Sequence, residues 1–305
     1  MTSRPVILVL GPTATGKSDL AAEIARRVGG EIVSADAFTV YRGLDIGTAK
    51  PSAEIRAEIP HHLIDVAEPA EPFSAGRWAE EARRAVEGIE RRGRVPIVAG
   101  GSHFYVRALL SGLPGGAIAA PALRRYLGAG WSEAARVSRK RMLDLLDPSY
   151  GARVPAGDTA RLSRALEIIL STGRRVSDRA PASPGLPGRS LLRLALLFPR
   201  EDIYTRIQRR VRAMWMSGWP REVENLLAAG VPPDAPAFRA IGYAELVRRA
   251  EGSLSDEDAF GRTVTRTRAL AKRQQTWLAS EPDLEVLDFD AAVRRARAFV
   301  AGAVA

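Results

Sequence analysis

The octapeptide GPTATGKS, residues 11–18, constrains this chain more than any other stretch. It fits the spacing Gly-x-x-x-x-Gly-Lys-Ser/Thr, and it stands where that spacing has meaning. The apolar run PVILVL before it is predicted to be a buried strand. The segment SDLAAEIARRVGG after it reads as a helix ending at Gly29-Gly30. A loop at such a junction aims successive backbone N–H groups and the positive end of a helix at phosphate oxygens. Gly11, Pro12, Thr13, Ala14, Thr15, Gly16, Lys17 and Ser18 are therefore the predicted diphosphate- or nucleotide-binding residues. Lys17 reaches an outer phosphate, and the Ser18 hydroxyl suits Mg²⁺. The motif leaves the owner of the phosphate open, because a kinase, an NTPase and an enzyme expelling diphosphate all use it.

The rest of the first third repeats the pattern. EIVSAD is a second short strand, HHLIDV and RVPIVAGG are further strands, and a helix is expected over 74–92. Strands alternating with helices predict an α/β fold, a parallel, doubly wound P-loop nucleoside-triphosphate-hydrolase-like sheet. From about residue 120 the texture changes. Residues 122–175 are arginine-rich and helical, followed by the Pro/Gly/Ser-rich link RAPASPGLPGRS, and LLRLALLF (191–198) restores a buried strand. The expected organisation is a catalytic core of 1–119 and 190–305 with a helical insertion at 120–189. The tail is predicted helical over 201–217, 219–229, 243–251 and 255–279, with Ser255 and Asp258 as a capping box for the last helix.

Composition narrows the chemistry. There is no cysteine, so disulfides and thiolate catalysis are excluded, and any metal must be held by oxygen or histidine. The first apolar run is too short to span a membrane, and a cytoplasmic protein is expected. A net charge of +10 points to a polyanionic partner such as nucleic acid. Genome-wide composition explains it equally, since all but four of the 45 basic residues are arginine. Where arginine is the default cation, a lysine marks a place that needs a compact ammonium. Lys17, Lys50 and Lys272 each fall inside a motif.

In an open α/β sheet the active crevice lies beyond the carboxyl ends of the strands. The P-loop follows the first strand, Asp36 the second, and Gly100-Gly101-Ser102 follows RVPIVA, so these three points are expected to converge. Asp36 is a candidate general base, metal ligand or cap of the next segment. GTAKP, residues 47–51, has small residues that let backbone approach a ligand. His61-His62 is a poor chelate, because neighbours on a strand point to opposite faces, and a structural role is expected. On the last predicted helix Arg262, Arg266, Ala269 and Arg273 share one face, either solvated or contacting phosphate backbone, while Phe260, Val264, Ala271 and Leu278 share another.

Taken in order, GPTATGKS, SADAFTVYRGLDIGTAKP, PHHLID, VAGGSHFY, RLSRALE, FRAIGY and LAKRQQTW resemble the tRNA dimethylallyltransferase (IPP transferase) family over nearly the whole chain. The resemblance implies transfer of a dimethylallyl group from dimethylallyl diphosphate to the N6 amine of the adenine 3′-adjacent to the anticodon. The tRNAs concerned read codons that begin with U, diphosphate is released, and Mg²⁺ is the cofactor. It implies catalytic roles for Asp36 as base, for Ser102 where the family usually has Thr, and for Lys17. It implies tRNA contacts by Asp36, Ala37, Phe38, Thr39, Lys50, Ser102, Arg124, Asp158, Arg161, Arg164, Arg239, Gly242, Tyr243, Lys272 and Arg273. The partners it implies are the tRNA anticodon stem-loop and dimethylallyl diphosphate, with a monomeric chain. Ala37 and Thr39 stand where the family usually has Ser and Gln, and His103 and Ala244 depart from it too, all on the side expected to face RNA. Other readings left open by the residues are a small-molecule kinase, an RNA-binding protein with a degenerate site, and a transferase acting on free adenine nucleotides.

Overall fold

The computed structural model describes residues 4–112, 120–178 and 185–304. The chain divides into two compact units, Met1–Leu110 with Leu186–Ala305, and Ser111–Gly185. The first opens with β1 (Arg4–Leu10), α1 (Lys17–Val28), β2 (Gly30–Ser34), α2 (Ala53–Glu58), β3 (His61–His62), α3 (Ala75–Arg91), β4 (Val95–Gly100) and α4 (His103–Ser111). The second holds α5 (Pro121–Gly128), α6 (Glu133–Leu146), α7 (Pro148–Gly151) and α8 (Thr159–Thr172). The chain returns through β5 (Arg189–Ala195), α9 (Arg200–Met216), α10 (Trp219–Ala228), a 3-10 turn at Pro236–Arg239, α11 (Tyr243–Ala250), α12 (Asp256–Leu278), β6 (Leu284–Val286) and α13 (Phe289–Val304).

All six strands are parallel, in the order β3-β2-β4-β1-β5-β6. β1 is central and buried on both faces, which is why its sequence is continuously apolar rather than alternating. Its Ile7 and Val9 join Ile32, Ile97, Leu192 and Leu194 in a core layer closed by Leu20 and Ile24 of α1 and Ala292 and Ala296 of α13. Val6, Leu8 and Leu10 are as deeply buried and point to the opposite face. Strand order places the P-loop, the end of β2 and the end of β4 side by side.

The sequence expectation for HHLIDV was too long. Only His61 and His62 pair with β2, because Leu63 and Asp65 take left-handed backbone (φ 64° and 56°), which ends the strand. β6 and α13 were not anticipated. Ser255 does cap α12, its hydroxyl accepting from Asp258 N–H at 3.1 Å.

Every regular element described in the second unit is a helix. Leu127, Leu143, Leu162, Leu166 and Ile169 form its core. α8 starts on an Asp158 cap, whose carboxylate accepts from Arg161 N–H at 3.0 Å, and ends at Gly173. The insertion was expected at 120–189, and the compact unit is Ser111–Gly185. Residues 179–184 of the expected link lie outside the described residues. Among those described, no helix is long and apolar enough to cross a membrane.

Candidate active site

The P-loop is braced from within and from outside. Thr15 Oγ1 donates to the Pro12 carbonyl at 2.9 Å, and the Lys17 ammonium donates to the same oxygen at 3.3 Å. From α12, the Gln274 side chain bridges two strand ends. Its Oε1 accepts from Thr13 N–H and its Nε2 donates to the Gly101 carbonyl, both at 2.9 Å. Gln274 is only 7% exposed, and a β-carbon at Gly101 would collide with its amide. The glycine after β4 is thus required by close approach of a buried side chain.

Lys17 faces a second cation. Its pKa is lowered to about 8, first by burial and then by like-charge repulsion from Arg210 of α9, with Asp36 pulling the other way. Burial also lowers the Arg210 pKa, against the opposing pull of Asp36 and Asp19. Arg210 has no hydrogen-bond or ion-pair partner among the described residues. Two cations desolvated together are under-neutralised, and an anion entering between them supplies the missing charge.

Asp36 sits just past β2. Its Oδ1 accepts from Phe38 N–H at 2.9 Å and, more weakly, from Thr39 N–H at 3.4 Å. Its Oδ2 has no partner among the described residues. The neighbouring Ala35 ties the strand ends together, its N–H donating to Ala99 O at 2.8 Å and its carbonyl accepting from Ser102 N–H at 3.2 Å. P-loop, Asp36 and glycine pair do converge, around one cavity of about 580 Å³.

Of the predicted site residues, Thr13, Lys17, Ser18, Asp36, Phe38, Thr39, Arg239 and Arg273 line this cavity. Gly11, Pro12, Ala14, Thr15 and Gly16 build the loop beneath it. Thr39 is 6% exposed, its hydroxyl paired with that of Ser34 at 3.0 Å. Ala37 and Ser102 do not line the cavity, whose wall at β4 consists of Ala99 and Gly100. Lys50 is placed differently from the expectation of an RNA contact. Its ammonium donates to Tyr41 O (2.6 Å), Asp45 Oδ1 (2.7 Å) and Asp65 Oδ1 (2.5 Å), and its side chain is 2% exposed. That geometry is a clasp closing the 41–65 segment. Gly242 and Tyr243 are buried as well, and the Tyr243 hydroxyl donates to Glu222 Oε1 at 2.5 Å.

On α12, Arg266, Ala269 and Arg273 of the expected face reach the cavity, Arg262 does not, and Lys272 is exposed. In the second unit Arg124 and Arg164 both bind the buried Glu167, Arg124 Nε at 3.0 Å and Arg164 Nη1 at 2.7 Å, while Arg161 pairs with Asp158. No group of three or more histidine, aspartate or glutamate side chains among the described residues could hold a metal. His61 bonds the Ile59 carbonyl and His62 bonds Glu31, each at 2.7 Å.

Sequence reasoning missed Arg210, Gln274, Trp219, Glu222 and Met214. Nothing distinguishes Arg210 among the arginines of RIQRRVRAM. Gln274 had a faint trace, since two adjacent glutamines interrupt a basic helix.

A family model described as IPP transferase matches residues 39–281, and one described as isopentenyl transferase matches residues 4–67. The tRNA dimethylallyltransferase of Thermomicrobium roseum is 42% identical over 287 residues, covering 93% of this chain and 86% of the relative. That of Xylella fastidiosa is 43% identical over 297 residues, covering 94% and 93%. The crystal structure of the full-length tRNA isopentenylpyrophosphate transferase of Bacillus halodurans is similar with a TM-score of 0.71 and 32% identity, covering 99% of this chain and 97% of that one. A eukaryotic dimethylallyltransferase, described as crystallographic snapshots of the enzyme acting on tRNA, is similar with a TM-score of 0.75 and 27% identity, covering 94% and 74%.

Proposed function

The chain belongs to the IPP transferase family, and from that premise we propose that it is a tRNA dimethylallyltransferase. It moves a five-carbon allyl group from dimethylallyl diphosphate to the N6 amine of the adenine 3′-adjacent to the anticodon, in tRNAs reading codons that begin with U. The observation that carries the reading is one cavity holding a cation pair, Lys17 and Arg210, beside a carboxylate with a free oxygen, Asp36. A kinase would use the cations equally well, but it would not need an arginine-bearing helix, α12, as a cavity wall.

The roles follow from the chemistry. The diphosphate lies on the P-loop between Lys17 and Arg210, whose charges stabilise it as the allylic C1–O bond breaks. The N6 lone pair forms the new C1–N bond, and Asp36 Oδ2 takes the N6 proton. Exocyclic amines of adenine are weak nucleophiles, so removal of that proton matters. The target base must leave its stack to enter the cavity, and Arg239 and Arg273 at its wall are placed to meet the RNA backbone. Arg124, Asp158, Arg161 and Arg164 of the insertion match family segments that contact tRNA. The Ser18 hydroxyl would hold Mg²⁺ carried in on the substrate's phosphate oxygens, an ion that keeps most of its waters. When bound it would neutralise charge on the departing diphosphate. The enzyme is expected to act as a monomer in the cytoplasm.

The test is one incubation of labelled dimethylallyl diphosphate and Mg²⁺ with total tRNA or with AMP. Label in tRNA supports the reading. Label in AMP alone, or ATP turnover without prenyl transfer, sinks it.

A further inference from the structure

The cavity has a cationic, anion-binding end and an apolar end, and one helix joins them. α9 presents Ile207, Arg210, Val211 and Met214 to it, the i, i+3, i+4, i+7 pattern of a single helix face. Arg210 belongs to the cation pair. Met214 lies one turn further along, about 6 Å at the helical rise. That is close to the reach of an allyl chain of four bonds, about 5 Å at ordinary bond lengths. Past Met214 the helix ends, Gly218 turns the chain, and Trp219 at the start of α10 also lines the cavity.

Trp219 is fixed. It is 2% exposed, and a β-carbon at either Gly47 or Gly242 would overlap its indole ring, so backbone closes on it from two directions. Tyr243 and Trp215 meet the ring edge-on, with centroids 5.4 and 6.4 Å away. The Gly47 loop is itself pinned. The Glu222 carboxylate accepts from Asp45 N–H (2.9 Å), Ile46 N–H (2.7 Å) and the Tyr243 hydroxyl (2.5 Å). A wall so braced cannot give way to a longer ligand without disrupting packing on both sides, and overpacking a rigid site is costly.

We propose that Met214 and Trp219 set the length of the donor, holding the site to a five-carbon allyl diphosphate and excluding its ten-carbon homologue. The inference rests on the transferase reading above. The diphosphate is anchored at Lys17 and Arg210, the allyl chain runs along Val211, and its terminal methyl groups stop at the Met214–Trp219 wall. Shortening either side chain opens room for a second isoprene unit.

The experiment compares kcat/KM for dimethylallyl and geranyl diphosphates, with tRNA as acceptor, in the full-length protein and in Met214→Ala and Trp219→Leu. The ratio of the two donors is read, so a general loss of activity cancels. Wild type is expected to favour the five-carbon donor by at least about 100-fold, and either variant to narrow that ratio by at least about tenfold. Met214 is only partly buried, so its truncation keeps the test alive if Trp219→Leu fails to fold. Wild type that uses both donors alike, or a folded Met214→Ala with the wild-type ratio, overturns the inference while leaving the transferase reading intact. Wild type that transfers neither donor to tRNA overturns the reading itself and this inference with it.

Discussion

Removing Arg210 should weaken donor capture and, at the same time, extend it to higher pH. Lys17 binds diphosphate only as the ammonium ion, and in the free enzyme its pKa is lowered to about 8, first by burial and then by Arg210. Below that pH the lysine is charged and kcat/KM for the donor is constant. Above it the charge is lost, and kcat/KM falls to about a tenth of its plateau by about pH 9. In Arg210→Gln the repulsion is gone, so the Lys17 pKa rises and the alkaline fall moves to higher pH. The move is less than the full distance to 10.5, because burial, the larger cause, remains. Meanwhile a charge-assisted contact to the diphosphate is lost, about 1.5–3 kcal/mol, or roughly 10- to 150-fold in KM. The assay is initial rate against dimethylallyl diphosphate at saturating tRNA, from about pH 7 to about pH 10. A wild-type profile flat through pH 10, or a variant whose alkaline limb coincides with that of wild type, would refute the coupling.

Asp36→Asn should lower kcat by about 10²–10⁴-fold, far more than it changes diphosphate affinity; a loss within about threefold would remove Asp36 as the base. Gln274→Leu strands the Thr13 N–H and the Gly101 carbonyl, so thermal unfolding should show a loss of about 1–3 kcal/mol and the donor KM should rise. An unchanged melting temperature would mean that the bridge contributes nothing. Lys50→Met, which removes three acceptors' worth of bonding from a buried clasp, should lower the melting temperature while the KM for tRNA stays put. A tRNA-specific defect in a stable Lys50→Met protein would restore the RNA-contact role implied by resemblance.

The parts of this protein legible in sequence are those where one residue type has one physical use. GPTATGKS could only be a phosphate loop between a strand and a helix. The run PVILVL could only be a central strand, since a half-exposed one would alternate. The tail helices fell within a residue or two of their positions, because each has the amphipathic period. What escaped was long-range. Arg210 is one of many arginines, and only the fold shows that it shares a cavity with Lys17 without an ion pair among the described residues. β6 is a three-residue edge strand, too short for any period to register. Lys50 is the instructive case. Its retention among arginines correctly marks a need for a compact ammonium, but three oxygens converging on one nitrogen satisfy that need inside the protein. The sequence could not say whether the anions were phosphates or two aspartates and a carbonyl.

The alternatives for Asp36, cap or base, are not exclusive, because the two oxygens of one carboxylate divide them. Binding of Oδ1 by the Phe38 and Thr39 N–H groups fixes the side-chain rotamer and aims Oδ2 in one direction. A base held this way needs no reorganisation when the amine arrives, which is the condition under which a positioned group accelerates proton transfer. The same division explains why asparagine separates the two roles. Its amide oxygen can still accept from both N–H groups, so the turn after β2 survives, while the NH₂ in place of Oδ2 has no lone pair to offer. The segment from Ala37 to Thr39 contributes chiefly through its backbone. Of its side chains, Phe38 and Thr39 reach the cavity and Ala37 does not. Departures from the family at Ala37 and Thr39 therefore leave the base intact and bear on the surroundings of the acceptor instead, where the Thr39 hydroxyl is already committed to Ser34.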